Sequence, residues 1–388
     1  MKTNIPERIA ALREAMKQQK VDAYIIPSSD PHLSEYPADR WKSREWISGF
    51  TGSAGTIVVT ADKAGLWTDS RYFLQAASQL EGSGIELYKL ALPETPSITE
   101  FLLHELHAGQ AVGLDGQTYS AAEASALANK LSRKEIKLDT SADLIEGIWK
   151  DRPAVPGNPI FEMPEALSGA SVHEKLDLIN NQLRSEGADC LILASLDEIA
   201  WTFNIRGTDV TYNPVVVSYA FVSEDESVLF IKPEKLTAEI TEHLKKEGVT
   251  LAEYSMIQRY LSRLPENSRV FVDMNKTNVS LYDAIPGSCT IVEGISPANH
   301  LKSIKNETEI KGFQNAVVKD GVALTKFYIW LEKQMAEGAQ VTEISAAEKL
   351  TALRAEQPQY IMDSFGTICG YAEHGAIVHY SATTETDA

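Results

Sequence analysis

The sequence predicts an α/β protein. It reads as two tandem copies of one module, each a mixed sheet with flanking helices, followed by the opening of a third, α+β domain. Three observations predict this. A helix–strand pattern near the N-terminus recurs later in the chain, each copy runs on into a hairpin of β-branched residues, and a long amphipathic segment with no repeat partner follows from Leu301.

The repeat can be followed residue by residue. LREAMKQQKVDAYIIPSSD (Leu12–Asp30) and LINNQLRSEGADCLILASLDEIAW (Leu178–Trp201) both give an amphipathic helix, a break, an Asp-led apolar strand, then Ser and Asp. Asp22 aligns with Asp189, Ser28 with Ser195 and Asp30 with Asp197. WISGFTGSAGTIVVTADKAGLWTD and WTFNIRGTDVTYNPVVVSYAFVSEDESVLFI then each supply an aromatic stretch, a glycine turn and a hairpin closed by a polar turn.

The helix of the second copy has a clear start and stop. Ser171 and Glu174 form a capping box, Leu176, Ile179 and Leu183 make the buried stripe, and Gly187 stands where a C-terminal cap belongs. The proline-rich stretch DRPAVPGNPIFEMPEAL (Asp151–Leu167) lacks periodicity and reads as a linker. The expected domains are 1–155, 156–299 as a repeat of the first, and an incomplete third over 300–388.

In the third region Asn306 and Glu309 make another capping box, and Ile310, Phe313, Val317, Leu324, Tyr328 and Leu331 share one helix face. A second helix is expected from Thr342 to Glu356, then two strand-like runs, YIMDSFGTIC (Tyr360–Cys369) and GAIVHYSA (Gly375–Ala382). Two isolated strands are marginal in water, and a sheet able to cover so long a helix needs more of them. The third domain is therefore expected to be cut short, with disorder or intermolecular contacts toward its end.

Composition narrows the function classes. The chain is 44% hydrophobic and 23% charged, as soluble globular proteins are, and its formal net charge of -18 disfavours nucleic acid and anionic membranes. The densest basic run, Lys245-Lys246, is short and flanked by acids. MKTNIPERIAALREAMKQQK reads as an amphipathic helix without the apolar core of a signal peptide, and no apolar run approaches the ~18 residues of a membrane span. Cys190, Cys289 and Cys369 lie far apart in apolar runs, as reduced thiols of a cytoplasmic protein would.

The candidate chemistry is sparse. GFTGSAG (Gly49–Gly55) lacks the Gly-Lys-Ser/Thr ending of a phosphate loop and leads into a strand, so it reads as a turn of close backbone approach. HELH (His104–His107) spaces its histidines three apart with no third ligand, and is expected to be structural. In WTDSRYF, Asp69 caps the following helix, while Arg71 is either a surface arginine or one that points into a cleft and holds a carboxylate. Asp197 and Arg206 are expected to pair within the second module. His379 follows small residues near a strand end and is either structural or part of a site. Glu385 and Asp387 read as solvated tail.

These stretches together carry a family resemblance. DPHLSEY, WISGFTGSAGTIVV and LWTDSRYFLQA resemble the first domain of the three-domain, cytosolic type of Xaa-Pro aminopeptidase, and LDEIAWTFNIRGTDVTYNPVVVSYAFV resembles its second. IKNETEIKGFQNAVVKDGVAL and SFGTICGYAEHGAIVHYSAT are similar to the opening of its catalytic, pita-bread domain. The resemblance covers essentially the whole chain. It implies two creatinase-like N-terminal domains followed by an incomplete pita-bread domain, in a manganese-dependent exopeptidase that removes the residue before a second-position proline. Proline lacks an amide N–H and has a fixed φ, which suits a dedicated pocket.

In that family two Asp, one His and two Glu hold a pair of metal ions. The resemblance places all five beyond Ala388, so no Mn²⁺ is expected on this chain, which is expected to be inactive alone. His379 matches the family histidine that contacts substrate or transition state near the scissile bond, and Arg71 matches a first-domain arginine that approaches the cleft. One departure is His374, where the family usually has Asn. Expected partners are Xaa-Pro peptides and a second copy of the chain, as a homodimer. Two alternatives stand beside this: a non-catalytic binding or dimerisation module, as in a histone chaperone subunit with homologous domains, and a prolidase- or creatinase-type relative with another substrate.

Overall fold

The computed structural model describes residues 4–388. Chain contacts divide it into two units: the residues up to Met163 with Ala170–Ile304, and Pro164–Gly169 with Lys305–Ala388.

The first unit holds two six-stranded sheets of one design. In the first module β1 (Ala23–Pro27), β2 (Thr56–Thr60), β3 (Ala64–Thr68), β4 (Glu86–Lys89), β5 (Ala111–Leu114) and β6 (Lys137–Asp139) take the order β4-β3-β2-β1-β5-β6. After a short strand β7 (Phe161–Glu162), the second module has β8 (Cys190–Leu193), β9 (Ile205–Arg206), β10 (Ser218–Ser223), β11 (Ser227–Ile231), β12 (Val249–Ala252), β13 (Arg269–Val272) and β14 (Thr290–Glu293). Its sheet runs β12-β11-β10-β8-β13-β14, with β7 and β9 as a separate ribbon.

The two sheets match in strand sense and in register. β1 is antiparallel to β2 and parallel to β5, and β8 is antiparallel to β10 and parallel to β13. Ala23 faces Thr60 and Val112; its counterpart Cys190 faces Ser223 and Val270. The Asp that leads each central strand has a physical reason. The Asp22 carboxylate accepts from Ala111 N (2.9 Å) and that of Asp189 from Arg269 N (2.8 Å), so each fixes the start of the neighbouring parallel strand.

The first helix of each module buries the same stripe. Ile5, Ile9, Leu12 and Met16 lie inward on Ile5–Gln19, and Val172, Leu176, Ile179 and Leu183 on Val172–Glu186, with identical spacing. Residues 1–3 of the expected N-terminal helix lie outside the described residues. The Ser171–Glu174 capping box is formed, and Gly187 ends its helix at φ 70°, a conformation glycine adopts without strain.

GFTGSAG is a turn of close approach. A Cβ on Gly52 would stand 2.7 Å from Tyr72 Cδ1 and still nearer the Phe50 ring. Buried Arg44 fastens this turn, donating to the carbonyls of Phe50 and Gly52 and through Nε to Ser28 Oγ (2.9 Å).

The second unit is built on two helices. Glu307–Ala336 starts at the Asn306–Glu309 capping box, and Asn306 Nδ2 also donates to Ser168 O (2.8 Å). Glu343–Ala355 joins it through Arg354 Nε to Asp320 Oδ1 (2.7 Å).

The strand expectation is corrected in this unit. The runs Tyr360–Cys369 and Gly375–Ala382 are not strands; residues 357–388 are irregular, with a single 3₁₀ turn at Ala372–Ala376. No sheet is present among the described residues of this unit to take up their ladder groups, so the backbone bonds elsewhere. The apolar face of the long helix is also not covered: Ile310, Phe313 and Val317 are 46%, 60% and 70% exposed, and Ala323 is the one buried residue among those described in that helix.

Candidate functional site

Arg71 sits on the 3₁₀ turn Ser70–Tyr72 directly after β3. Asp69 caps the turn by accepting from Arg71 N (3.1 Å) and holds the guanidinium in a fork, Nε to Oδ1 and Nη2 to Oδ2, both 2.8 Å. These bonds to Asp69 raise the guanidinium pKa above its ordinary value, so Arg71 is a fixed cation. Asp69 caps the turn, and Arg71, itself exposed, stands among the residues that line a cleft.

The cleft, about 590 Å³, lies at the carboxyl ends of β1 and β5, where strand connections leave in opposite directions on the sheet. Open α/β sheets place ligands at such switch points. One wall is Ser28, Ser53 and Thr56, another is Thr118 and Ser120, and the second module contributes Asn275 and Lys276. Glu35 and Glu123 add carboxylates, so the lining is polar and of mixed charge.

His379 belongs to the second unit. It is exposed, on irregular backbone with φ 55°, and not on the strand the sequence suggested. The organising residue of this segment is Glu343, buried at the first turn of its helix. Its carboxylate accepts from Tyr371 N (2.6 Å), Tyr380 OH (2.7 Å) and Ala388 N (3.4 Å), and lies 2.9 Å from His374 Nδ1. Burial pushes the Glu343 carboxyl up, but the hydrogen bonds outweigh it and hold it at about 2. His374, the family departure, thus has a structural partner and also stacks on Tyr380 at 4.6 Å between centroids.

The remaining candidates make local ion pairs and hydrogen bonds. His104 Nδ1 lies 2.9 Å from Glu105, which also takes Lys63 (2.7 Å). Asp197 does not serve Arg206 as expected: it pairs with Lys302 (2.5 Å), while Arg206 Nη1 donates to the carbonyls of Ala200 (2.6 Å) and Ile205 (2.9 Å). The guanidinium thereby satisfies backbone carbonyls near the end of its neighbouring helix, and Asp197 takes a lysine instead. Among the described residues no three His, Cys, Asp or Glu side chains gather in a group that could hold a metal ion.

Sequence reasoning missed His32. It is buried between the modules, its ring 4.4 Å from that of Tyr219. Nδ1 lies 2.9 Å from Ala194 O, a pure acceptor, so Nδ1 carries the proton and Nε2 accepts from Tyr254 OH (3.0 Å). Burial lowers its pKa below the ordinary histidine value, against the pull of Asp30. Nothing local in DPHLSEY signals a partner 162 residues away.

The comparisons with known proteins follow this architecture. Two family models, both described as the creatinase/prolidase N-terminal domain, match residues 8–148 and 151–309. A probable Xaa-Pro aminopeptidase P of Coprinopsis cinerea is 38% identical over 97% of this chain and 62% of its own length. Aminopeptidase P2 of Arabidopsis thaliana is 36% identical over 99% of this chain and 59% of its own. The crystal structure of an X-prolyl aminopeptidase from Caenorhabditis elegans, described as a cytosolic enzyme with a di-nuclear active site, superposes with a TM-score of 0.93 at 30% identity, covering 100% of this chain and 65% of that one. The chain thus spans about three-fifths of the length of these relatives. The creatinase/prolidase N-terminal domain is matched twice, together over most of the chain, which belongs to that domain family and is similar to Xaa-Pro aminopeptidases P through nearly its whole length.

Proposed function

We propose that the protein to which this chain belongs removes the N-terminal residue from peptides whose second residue is proline. The carrying observation is the match to Xaa-Pro aminopeptidases over nearly the whole chain, with a TM-score of 0.93 to one of them. In this reading the hydrolytic step uses a pair of metal ions, manganese in our proposal, held by residues outside this chain. Support comes from the di-nuclear site of the C. elegans enzyme. This chain alone is then inactive.

Arg71 and His379 take the substrate-side roles. Arg71, held by Asp69, offers a fixed cation to a peptide carboxylate or carbonyl, and His379 donates to substrate near the scissile bond. The protein acts in the cytoplasm as a homodimer; the cytosolic description of the C. elegans enzyme supports the first, and among the described residues no helix is long and apolar enough to cross a membrane.

The test is cleavage of an Arg-Pro-Pro peptide with Mn²⁺ by this chain and by a version extended through the next ~200–250 residues, a typical domain length. Release of the N-terminal arginine by the extended protein only is the expected result. Cleavage by neither overturns the activity, and cleavage by the short chain overturns its assignment as inactive.

A further inference from the structure

The two modules meet through the carboxyl ends of their central parallel strands, and the contact is reciprocal. Ala121 N donates to Thr277 O and Val279 N to Tyr119 O, both at 2.9 Å. Ala122 N donates to Met274 O (3.0 Å) and Ser280 N to Gly116 O (3.1 Å). Strand registers make Val112 the counterpart of Val270. Counting on from there, Gly116 corresponds to Met274, Tyr119 to Thr277, Ala121 to Val279 and Ala122 to Ser280. Each bond from one module is therefore returned by the same position of the other.

The flanking geometry is also repeated. Asp115 O accepts from Thr118 N (2.9 Å) and Asp273 O from Lys276 N (3.0 Å). Each Asp carboxylate accepts from the amide two residues on, Gln117 N at 2.9 Å and Asn275 N at 3.1 Å. Ser120 and Asn278 each cap a helix, pair as an antiparallel bridge, and stand at the same repeat position.

The chemistry explains why such a face pairs with itself. The first N–H groups of a helix have no partner within it. Here the side-chain caps satisfy the third position of each helix, Glu123 N and Leu281 N, while the first and second are satisfied only by carbonyls of the other module. A residue i that bonds j while j bonds i is the mark of an isologous interface.

We infer that this strand-end face is a self-complementary docking surface whose partner is a second creatinase-like module, and that the two modules hold together by it without the covalent link. The linker then adds proximity, and pairing completes the cleft by bringing in Asn275 and Lys276.

The test keeps the whole chain. A protease site replacing the exposed residues around Gly157 is cut after purification, and the nicked protein is run on a sizing column over a dilution series. The expected result is co-elution of both pieces at the position of the uncut chain, with a His32→Ala/Asn278→Ala variant dissociating at concentrations at least tenfold higher. Separation of the wild-type pieces, whether they stay folded or lose their circular dichroism, overturns the inference. So does equal affinity in the double variant. Since the readout is association, loss of the peptidase reading would leave this result untouched.

Discussion

The two modules share one sheet and one first helix, yet their equivalent strand-end hollows have different fates. In the first module the chain entering β2 reads Ser53-Ala54-Gly55-Thr56, and the space beyond it is the polar cleft. At the same register the second module has Val216-Val217-Ser218-Tyr219. Val217 packs there with Leu196, Ala200, Val210 and Val215, and with Ala38 and Trp41 from the first module. His32 and Tyr219 close the remainder. The 3₁₀ turn that bears Arg71 in one copy bears Glu234 in the other, beside a buried Lys235–Asp209 ion pair. One copy has kept a concave polar surface; the other has converted it into core. A duplicated fold thereby yields one open cleft and one filled support beside it.

The largest expected effect lies in the filled copy. Asp209→Ala strands the Lys235 ammonium in apolar surroundings, both side chains being at most 1% exposed, and should destabilise the first unit by about 3–5 kcal/mol in urea unfolding. A loss under about 1 kcal/mol would mean that water reaches the pair. Next comes Gly52→Val in the open copy, where the new side chain meets Tyr72 and Phe50. Overpacking should cost about 1–3 kcal/mol and reshape the cleft wall. An unchanged melting temperature would show that the turn yields freely.

His32 gives a smaller, pH-dependent effect. Its folded pKa is lowered, so stability is complete above the unfolded histidine value of about 6.5 and falls as pH drops below it, because the unfolded chain takes up a proton that the folded one refuses. The loss approaches about 1.4 kcal/mol per pH unit until the folded-state value is passed. Asp30 and Asp209 favour the proton and Lys235 opposes it. His32→Gln should remove this slope in unfolding measured from pH 7 to 5; retention of the whole slope would point to other groups. Smallest is Arg71→Ala, an exposed fork whose loss should cost at most about 1 kcal/mol of stability while lowering kcat/KM of the extended enzyme. Unchanged kinetics would remove Arg71 from the substrate side.

Much of this was legible in the sequence because it rests on local periodicity. The Ile5/Ile9/Leu12/Met16 and Val172/Leu176/Ile179/Leu183 stripes, the Ser171 capping box and the Asp22/Asp189 pairing position are short-range patterns that survive in any context. The cleft was half legible: Asp69 and Arg71 sit together in WTDSRYF, but Lys276 reaches the same hollow from a distant stretch of chain. Arg44, His32 and Glu343 were invisible, since each acquires its role from partners that only the fold brings near. The strand reading of GAIVHYSA failed for the converse reason. A run of apolar residues becomes a strand only where another strand bonds it, and none is present among the described residues of that unit.

The most direct measurement is amide hydrogen exchange at Ala121, Ala122, Val279 and Ser280 in the intact chain. A self-paired interface predicts slow exchange at all four, released together by His32→Ala/Asn278→Ala. Protection of one helix start while the other exchanges at loop rates would contradict the two-fold pairing on which the contrast between the modules rests.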